Sequence, residues 1–414
     1  MDKVAIVVQR YSIDVNGGAE MHARMLAEHL NEKYEIEVLT TCAKDYITWE
    51  NYYQEGEERV NGIKVMRFSS LKKDMKRNGK LSHYLRRNLR YSKGKITWKN
   101  FFILPVKKAL YKKKINHSHL FDEWIEAQGP LCPSLVDYIK EKKDNYAAFI
   151  FFTYLYYPTY IGIQQVGDKS ILIPTAHDET PFYFSDFKKL FSHPKFIMYN
   201  TLSEKELVER TYPQSKQIRS DIAGVGFDKP DYALSTNPLN TRYFLYIGRI
   251  DKNKGCKELI EYFNDYKKKV KDDVKLVLVG NNFMKKLKIS KDIILTGFVS
   301  DEEKSRYLQY SEALIIPSRF ESLSMVTLEA MIMGKPVLAT SKSEVLEKHI
   351  ETSGAGFTYS NKNDFISCLN RILTLSDDKK IVIAQNGIRY VEENYNWTTI
   401  VDKFTKAIDY IDGK

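Results

Sequence analysis

Two cations and two carboxylates are the residues of this 414-residue chain whose types and spacing best suit chemistry. The cations lie in Gly248-Arg249-Ile-Asp-Lys-Asn-Lys254-Gly255, between an apolar run and a helical pattern. That context puts Arg249 and Lys254 at the carboxyl edge of a parallel sheet, where α/β folds bind ligands. Two cations so placed beside a helix start suit a diphosphate, because they neutralise charge that grows on the phosphate as it leaves. The competing reading is a solvated basic loop, and the segment is neither a Walker A sequence nor GxGxxG. The carboxylates lie in Glu321-Ser-Leu-Ser-Met-Val-Thr-Leu-Glu329, after a strand pattern ending at Pro317. Eight residues span at most about 12 Å as helix, roughly a sugar-diphosphate-ribose unit. One acid suits sugar hydroxyls and the other a ribose diol, with backbone N–H groups of Ser322, Leu323 and Ser324 facing phosphate between them. The alternative is an amphipathic helix with two surface acids.

The elements that must position these groups follow from apolar runs. Val4 to Gln9, Ile36 to Thr40, Ile63 to Phe68, Ala147 to Thr153 and Ile171 to Ala176 read as strands, with Gly17-Gly18 opening a helix after the first. A second set appears at Tyr243 to Gly248, Leu276 to Gly280, Ile293 to Thr296, Ala313 to Pro317 and Pro336 to Thr340. Helical patterns at Lys257 to Lys269, Asp301 to Tyr310 and Leu323 to Met333 alternate with it. Continuous rather than alternating apolar runs indicate parallel strands covered on both faces, and the alternation indicates two doubly wound α/β domains with the cleft between them as the default ligand site. A polar stretch from Asp228 to Arg242 reads as the linker, and about Asn396 to Ile411 as a final helix.

Composition narrows the class. A hydrophobic fraction of 43% with 28% charged residues excludes a disordered chain. No apolar run reaches the roughly 18 residues of a membrane-spanning helix, and no cleaved signal is expected, since MDKVAIVVQR reads straight into a strand pattern. Cys42, Cys132, Cys256 and Cys368 lie far apart without metal-ligand spacing, so a reducing, cytoplasmic location is expected, without disulfides or a zinc site. The net charge of +11 is local: Leu71 to Lys114 holds 16 Lys or Arg and one acid, Asp74, for +15, and the rest of the chain sums to −4.

GGAE at Gly17 to Glu20, HDETP at His177 to Pro181, GVGFD at Gly224 to Asp228, GRIDKNKG at Gly248 to Gly255 and PSRFESLSMVTLEAM at Pro317 to Met331 resemble, in that order, glycosyltransferase family four. NGIKVMRF at Asn61 to Phe68 and the segment Leu295 to Ser318 resemble its supporting segments, so the likeness runs over nearly the whole chain. It implies the GT-B fold, two Rossmann-like domains facing across a cleft: residues 1–235 on the acceptor side with a basic insertion at 71–114, residues 236–392 binding the nucleotide-sugar donor, and a helix in 393–414 packing back on the first domain. It implies that Arg249 and Lys254 contact the donor diphosphate, Glu321 and Glu329 the donor sugar and ribose, and Gly17 and Gly18 a loop approaching the phosphates. His177, with Asp178 beside it, matches the histidine by the donor sugar and reaction centre, against the alternative of a core histidine. Gly248, Phe298 and Val299 fall on donor-binding loops, the last two near the base. No metal or other cofactor is implied. Two departures bear on the donor: Ser322 and Ser324 stand where the family usually has Gly, and Asn281-Asn282-Phe283 replaces its usual turn.

Within the basic segment, Leu81, Tyr84, Leu85 and Leu89 share a helical face with Arg86, Arg87 and Arg90 around it, and FFILPV at Phe101 to Val106 is flanked by Lys99, Lys107 and Lys108. Such an element lies on anionic lipid or packs its apolar face on the domain; no nucleic-acid recognition fold accompanies the bases. The expected function is retaining transfer of a sugar from a UDP- or GDP-sugar to a glycan or lipid-linked acceptor, in bacterial surface polysaccharide synthesis, peripheral on the inner face of the membrane. Two alternatives are a noncatalytic polyanion- or membrane-binding scaffold and a dinucleotide oxidoreductase; against the second, no G-x-G-x-x-G follows Val4 to Gln9.

Overall fold

The apolar runs become the central strands of two sheets. A computed structural model of the chain describes residues 1–15, 17–92, 117–228, 236–284 and 287–413, with the backbone alone at 87–92 and 117–118. The chain divides into two units, Met1–Ala223 with Val401–Lys414, and Gly224–Ile400.

The first unit is built on eight strands: β1 Lys3–Val7, β2 Glu35–Thr41, β3 Gly56–Val60, β4 Ile63–Phe68, β5 Ala148–Phe152, β6 Ser170–Ile173, β7 Phe196–Tyr199 and β8 Arg219–Ile222, in the order β3-β4-β2-β1-β5-β6-β7-β8. All neighbours are parallel except β3 and β4. Val4 to Val7 and Ala148 to Phe152 are fully buried, as strands covered on both faces must be. The antiparallel edge pair turns at Asn61-Gly62, both at positive φ (49° and 81°), the conformation that Asn-Gly favours in a two-residue hairpin. Sequence patterning had not separated β3, β7 or β8.

The second unit carries β9 Tyr243–Ile247, β10 Lys275–Val279, β11 Ile293–Gly297, β12 Leu314–Ile316, β13 Val337–Thr340 and β14 Gly356–Tyr359, all parallel, in the order β11-β10-β9-β12-β13-β14. Its helices start where side chains can satisfy the free N–H groups. Ser300 and Glu303 form a reciprocal capping box, and the Asn361 side chain accepts from the N–H groups of Asn363 and Asp364. The helix expected from Leu323 begins instead at Met325, because Ser324 adopts a left-handed conformation (φ 61°, ψ 69°) that ends the preceding loop.

The final helix, Trp397–Asp412, belongs to both units in sequence. In the second unit the Trp397 ring lies on Gly226, where a Cβ would come within 2.4 Å of it, and the Phe227 N–H donates to the Tyr395 carbonyl at 2.8 Å. In the first, Lys403 donates to the Ile222 carbonyl and Arg219 lies over the Tyr410 ring.

The described part of the basic segment is the helix Met75–Ser92. Leu81 and Leu85 pack against the first unit's core, and the helix is tied to His117–Gln128 by Arg77 to Glu123 (2.9 Å) and by the Trp124 indole N–H to Ser82 (2.9 Å). Its apolar face is therefore covered at these positions, while Lys76, Lys80 and Arg86 stay exposed. The side chains of Arg87, Leu89 and Arg90, and all of Lys99, Phe101 to Val106, Lys107 and Lys108, lie outside the described residues.

Candidate functional site

In the second unit, β9, β10 and β11 lead into glycines that let three loops meet. Gly248, Gly280 and Gly297 all have positive φ. The Gly248 N–H donates to the Val279 carbonyl at 2.9 Å and the Gly280 N–H to the Gly297 carbonyl at 2.8 Å. A Cβ on Gly280 would lie 2.0 Å from the Gly248 carbonyl oxygen, so the backbones approach only because Gly280 has no side chain. The loop from Gly248 is folded by Asp251, whose Oδ1 accepts the Lys254 N–H at 2.8 Å and whose Oδ2 stands 3.7 Å from Arg249 Nε. Gly255, left-handed at φ 76°, then starts the helix Cys256–Lys269; a Cβ there would meet the Pro317 carbonyl at 2.3 Å. The two cation- and carboxylate-bearing segments are thus packed backbone to backbone.

That contact brings Lys254 and Glu321 together, Nζ to Oε1 at 2.7 Å, with Glu321 mostly buried. Ser322, Leu323 and Ser324 follow, and the Ser324 hydroxyl pairs with that of Thr327 at 2.9 Å. Glu329, within the helix Met325–Ile332, is met by Lys304 Nζ at 3.2 Å, which also reaches Asp301 at 3.1 Å. Burial lowers the pKa of Lys304, but the carboxylates of Glu329 and Asp301 outweigh it and hold the ammonium above its ordinary value. Each acid of the pair therefore has a lysine beside it. Phe298, exposed, and Val299 lie just past β11. His349 is buried beneath this loop, bonded to the Leu323 carbonyl; burial pulls its pKa down to about 4, so the ring is neutral near pH 7.

The remaining predicted residues lie in the first unit. A Cβ on Gly17 would meet Glu20 Oε2 at 2.0 Å, whereas one on Gly18 would meet nothing within 4 Å. Glu20 is itself fixed by buried Arg10 (Nε, 2.9 Å) and Gln9 (Nε2, 3.0 Å), so the first glycine of GGAE makes room for a buried ion pair. His177 and Asp178 follow β6. The His177 ring places Nδ1 3.3 Å from the Thr175 carbonyl and Nε2 3.5 Å from Glu179, which accepts from the Tyr154 hydroxyl at 2.9 Å. Asp178 accepts from Tyr183 at 2.6 Å. Glu204, fully buried, accepts the N–H of Ala176, next to His177, and that of Asn200; burial pushes its carboxyl up to about 8 despite those bonds.

Sequence reasoning missed Asp251, Lys304, His349, Glu179 and Glu204. Only Asp251 had a local signal, an Asp three residues before the backbone N–H it caps. A groove of about 530 Å³ opens beside the same loop, lined by Lys252, Asn253, Glu258, Tyr262 and Phe320 among others, but Arg249, Lys254, Glu321 and Glu329 are not in its lining. The site is placed by its charges and its helix start rather than by this concavity. The four cysteines are free thiols, and burial pushes Cys132 and Cys256 up to about 11. Among the described residues no three His, Cys, Asp or Glu side chains cluster to hold a metal ion, and no helix is long and apolar enough to cross a membrane.

Residues 233–390 match the family described as glycosyl transferases group 1. A Salmonella typhimurium protein named lipopolysaccharide 1,2-N-acetylglucosaminetransferase is 28% identical over 182 residues, 40% of this chain and 47% of that protein. The chain thus spans about half the length of that relative. Among solved structures, sucrose-phosphate synthase from Thermosynechococcus elongatus superposes with a TM-score of 0.66 at 15% identity, covering 99% of both chains. Anabaena HepE, solved with UDP and glucose, gives 0.65 at 14% identity over 99% of this chain and 100% of that one. These likenesses carry the fold, which is GT-B with two Rossmann-like units.

Proposed function

We propose that this chain, whose residues 233–390 match glycosyl transferases group 1, is a retaining glycosyltransferase that moves a sugar from a UDP- or GDP-sugar to a hydroxyl of a glycan or lipid-linked acceptor. The observation that carries the reading is the contact of Lys254 with Glu321 beside the start of the helix Met325–Ile332. A cation and an acid are thereby brought together from two loops beside a helix start, as a sugar diphosphate needs. In the reaction the bond from the anomeric carbon to the phosphate oxygen breaks and the bond to the acceptor oxygen forms on the same face. The acceptor proton passes to the leaving phosphate oxygen. Arg249, Lys254 and the N–H groups near Ser322 to Ser324 stabilise the charge on the departing diphosphate. Glu321 positions the donor sugar, and Glu329, held by Lys304, takes the ribose diol.

Thermal-shift screening against UDP, GDP, ADP and their sugars tests this first, since a ligand that binds the folded state alone raises its melting temperature. Stabilisation by a nucleoside diphosphate and hydrolysis or transfer of its sugar are expected; inertness to every donor would leave the scaffold reading. The acids are then separable. Glu329→Ala is expected to weaken free nucleoside diphosphate about tenfold, as loss of a charge-assisted ribose contact does, and Glu321→Ala to impair transfer more than nucleotide binding. Unchanged calorimetric affinity in Glu329→Ala would refute the ribose assignment.

Localisation rests on the +15 of residues 71–114. Since Leu81 and Leu85 are engaged with the core, the docking proposed for this segment is electrostatic, at about 1 kcal/mol per base near an anionic surface. Vesicle sedimentation is expected to show binding to anionic and not neutral lipid, reversed by salt. Changing Arg86, Arg87, Arg90, Lys107 and Lys108 to Gln is expected to abolish it while sparing donor hydrolysis. Equal sedimentation with both lipids would defeat the claim.

A further inference from the structure

Beneath the loop that starts the helix Met325–Ile332 lies a histidine that none of the sequence motifs contains. His349, in the helix Glu344–Ser353, is buried, with Nε2 2.9 Å from the Leu323 carbonyl oxygen and Nδ1 2.9 Å from the Tyr390 hydroxyl. A carbonyl only accepts, so Nε2 carries the ring proton; the neutral ring then accepts at Nδ1, and Tyr390 donates. The bonds run in one direction, from Tyr390 on the helix Asp377–Asn394, through His349, to the loop carbonyl.

The consequence comes from the peptide plane. Leu323 C=O and Ser324 N–H share one trans peptide unit and point in opposite directions. Fixing the carbonyl toward His349 therefore aims the Ser324 N–H the opposite way, away from the ring. Local preference does not supply this orientation, because Ser324 sits in a left-handed conformation that a non-glycine residue adopts at a cost. We propose that His349 is a positioning residue, its tautomer set by Tyr390, that aims the Ser324 N–H at the diphosphate of the donor. The assignment rests on the glycosyltransferase reading above.

Four forms of the full chain test it: wild type, His349→Gln, whose amide can donate from the ε position, His349→Leu, and Tyr390→Phe. Two readouts are used, calorimetry with UDP and GDP, and amide hydrogen exchange at Ser324 and Met325 without nucleotide. His349→Leu is expected to weaken the nucleoside diphosphate that wild type binds by about tenfold and to speed exchange at the two amides by at least as much, with core amides of Cys256–Lys269 unchanged. His349→Gln is expected to stay within about threefold of wild type in both. Tyr390→Phe frees the other tautomer, whose Nε2 lone pair would face the carbonyl, and is expected to fall between. A folded His349→Leu with wild-type affinity and exchange, or a His349→Gln as impaired as His349→Leu, would overturn the proposal. If His349→Leu does not fold, Tyr390→Phe decides, and unchanged exchange there overturns it. Failure of wild type to bind UDP or GDP would sink the donor reading, while the exchange comparison still judges the role of His349 in orienting the loop.

Discussion

Replacing Lys254 with Ala is expected to lower turnover by about 10² or more, with little change in melting temperature. Its backbone is held independently of its side chain: the N–H is capped by Asp251, and Gly255 fixes the helix start against Pro317. Truncation therefore removes the ammonium without unfolding the loop. The loss has two parts. Charge developing on the departing diphosphate loses a cation, and Glu321 loses the lysine that stands 2.7 Å away. Because one lysine serves both, Lys254→Ala and Glu321→Ala are expected to be non-additive, the double variant being less impaired than the two losses multiplied together. Lys254→Arg is expected not to restore full rate, since a planar fork cannot face a carboxylate and a phosphate from one point as an ammonium does. Steady-state turnover on the donor found by thermal shift decides: a Lys254→Ala enzyme with near-normal turnover removes Lys254 from the mechanism.

The legible part of this architecture is what local sequence dictates. Apolar runs such as Val4 to Val8 and Tyr243 to Ile247, bounded by glycine and followed by helical patterns, read as buried strands, and that context puts the Arg249 to Lys254 segment and the Glu321 segment after strands of a parallel sheet, where the structure has them. Polar or very short edge strands escaped. Glu57, Glu58 and Arg59 in β3 and Arg219 to Asp221 in β8 carry no apolar periodicity, and the one local signal for β3, the Asn61-Gly62 turn after it, is not part of any apolar run. The supporting residues escaped for a different reason. Lys304 is 25 positions from Glu329, and His349 is 41 from Tyr390 and 26 from Leu323, so no window of sequence contains both partners. Ser324 shows the limit most directly. A helical pattern from Leu323 is compatible with serine, and only the backbone reveals the left-handed turn that moves the helix start two residues on.

The same backbone reasoning sets the last expectation, that Gly280→Ala disrupts the second unit. Gly280 has φ 136°, a region essentially closed to residues with a Cβ, at a cost of about 1–3 kcal/mol. Its Cβ would in addition fall 2.0 Å from the Gly248 carbonyl oxygen, and the obstacle is backbone that no rotamer change can move. Relief requires separating the two loops. That breaks the Gly280 N–H bond to Gly297 and shifts the turn on which Arg249 is carried. The combined effect is on the order of 3 kcal/mol or more, among the large values that strain and backbone clashes produce. For a unit of this size that corresponds to a fall in melting temperature of about 10 °C. Gly297→Ala is the informative control. It also has positive φ, 76°, but nothing lies within 4 Å of its Cβ, so only the left-handed preference is lost, about 1 kcal/mol. Calorimetric melting of the two variants separates steric closure from conformational preference: equal, small shifts would mean that the Gly248 and Gly280 backbones do not approach as described, and a large shift confined to Gly280→Ala means that the carboxyl edge of β9 and β10 depends on the absence of a side chain there.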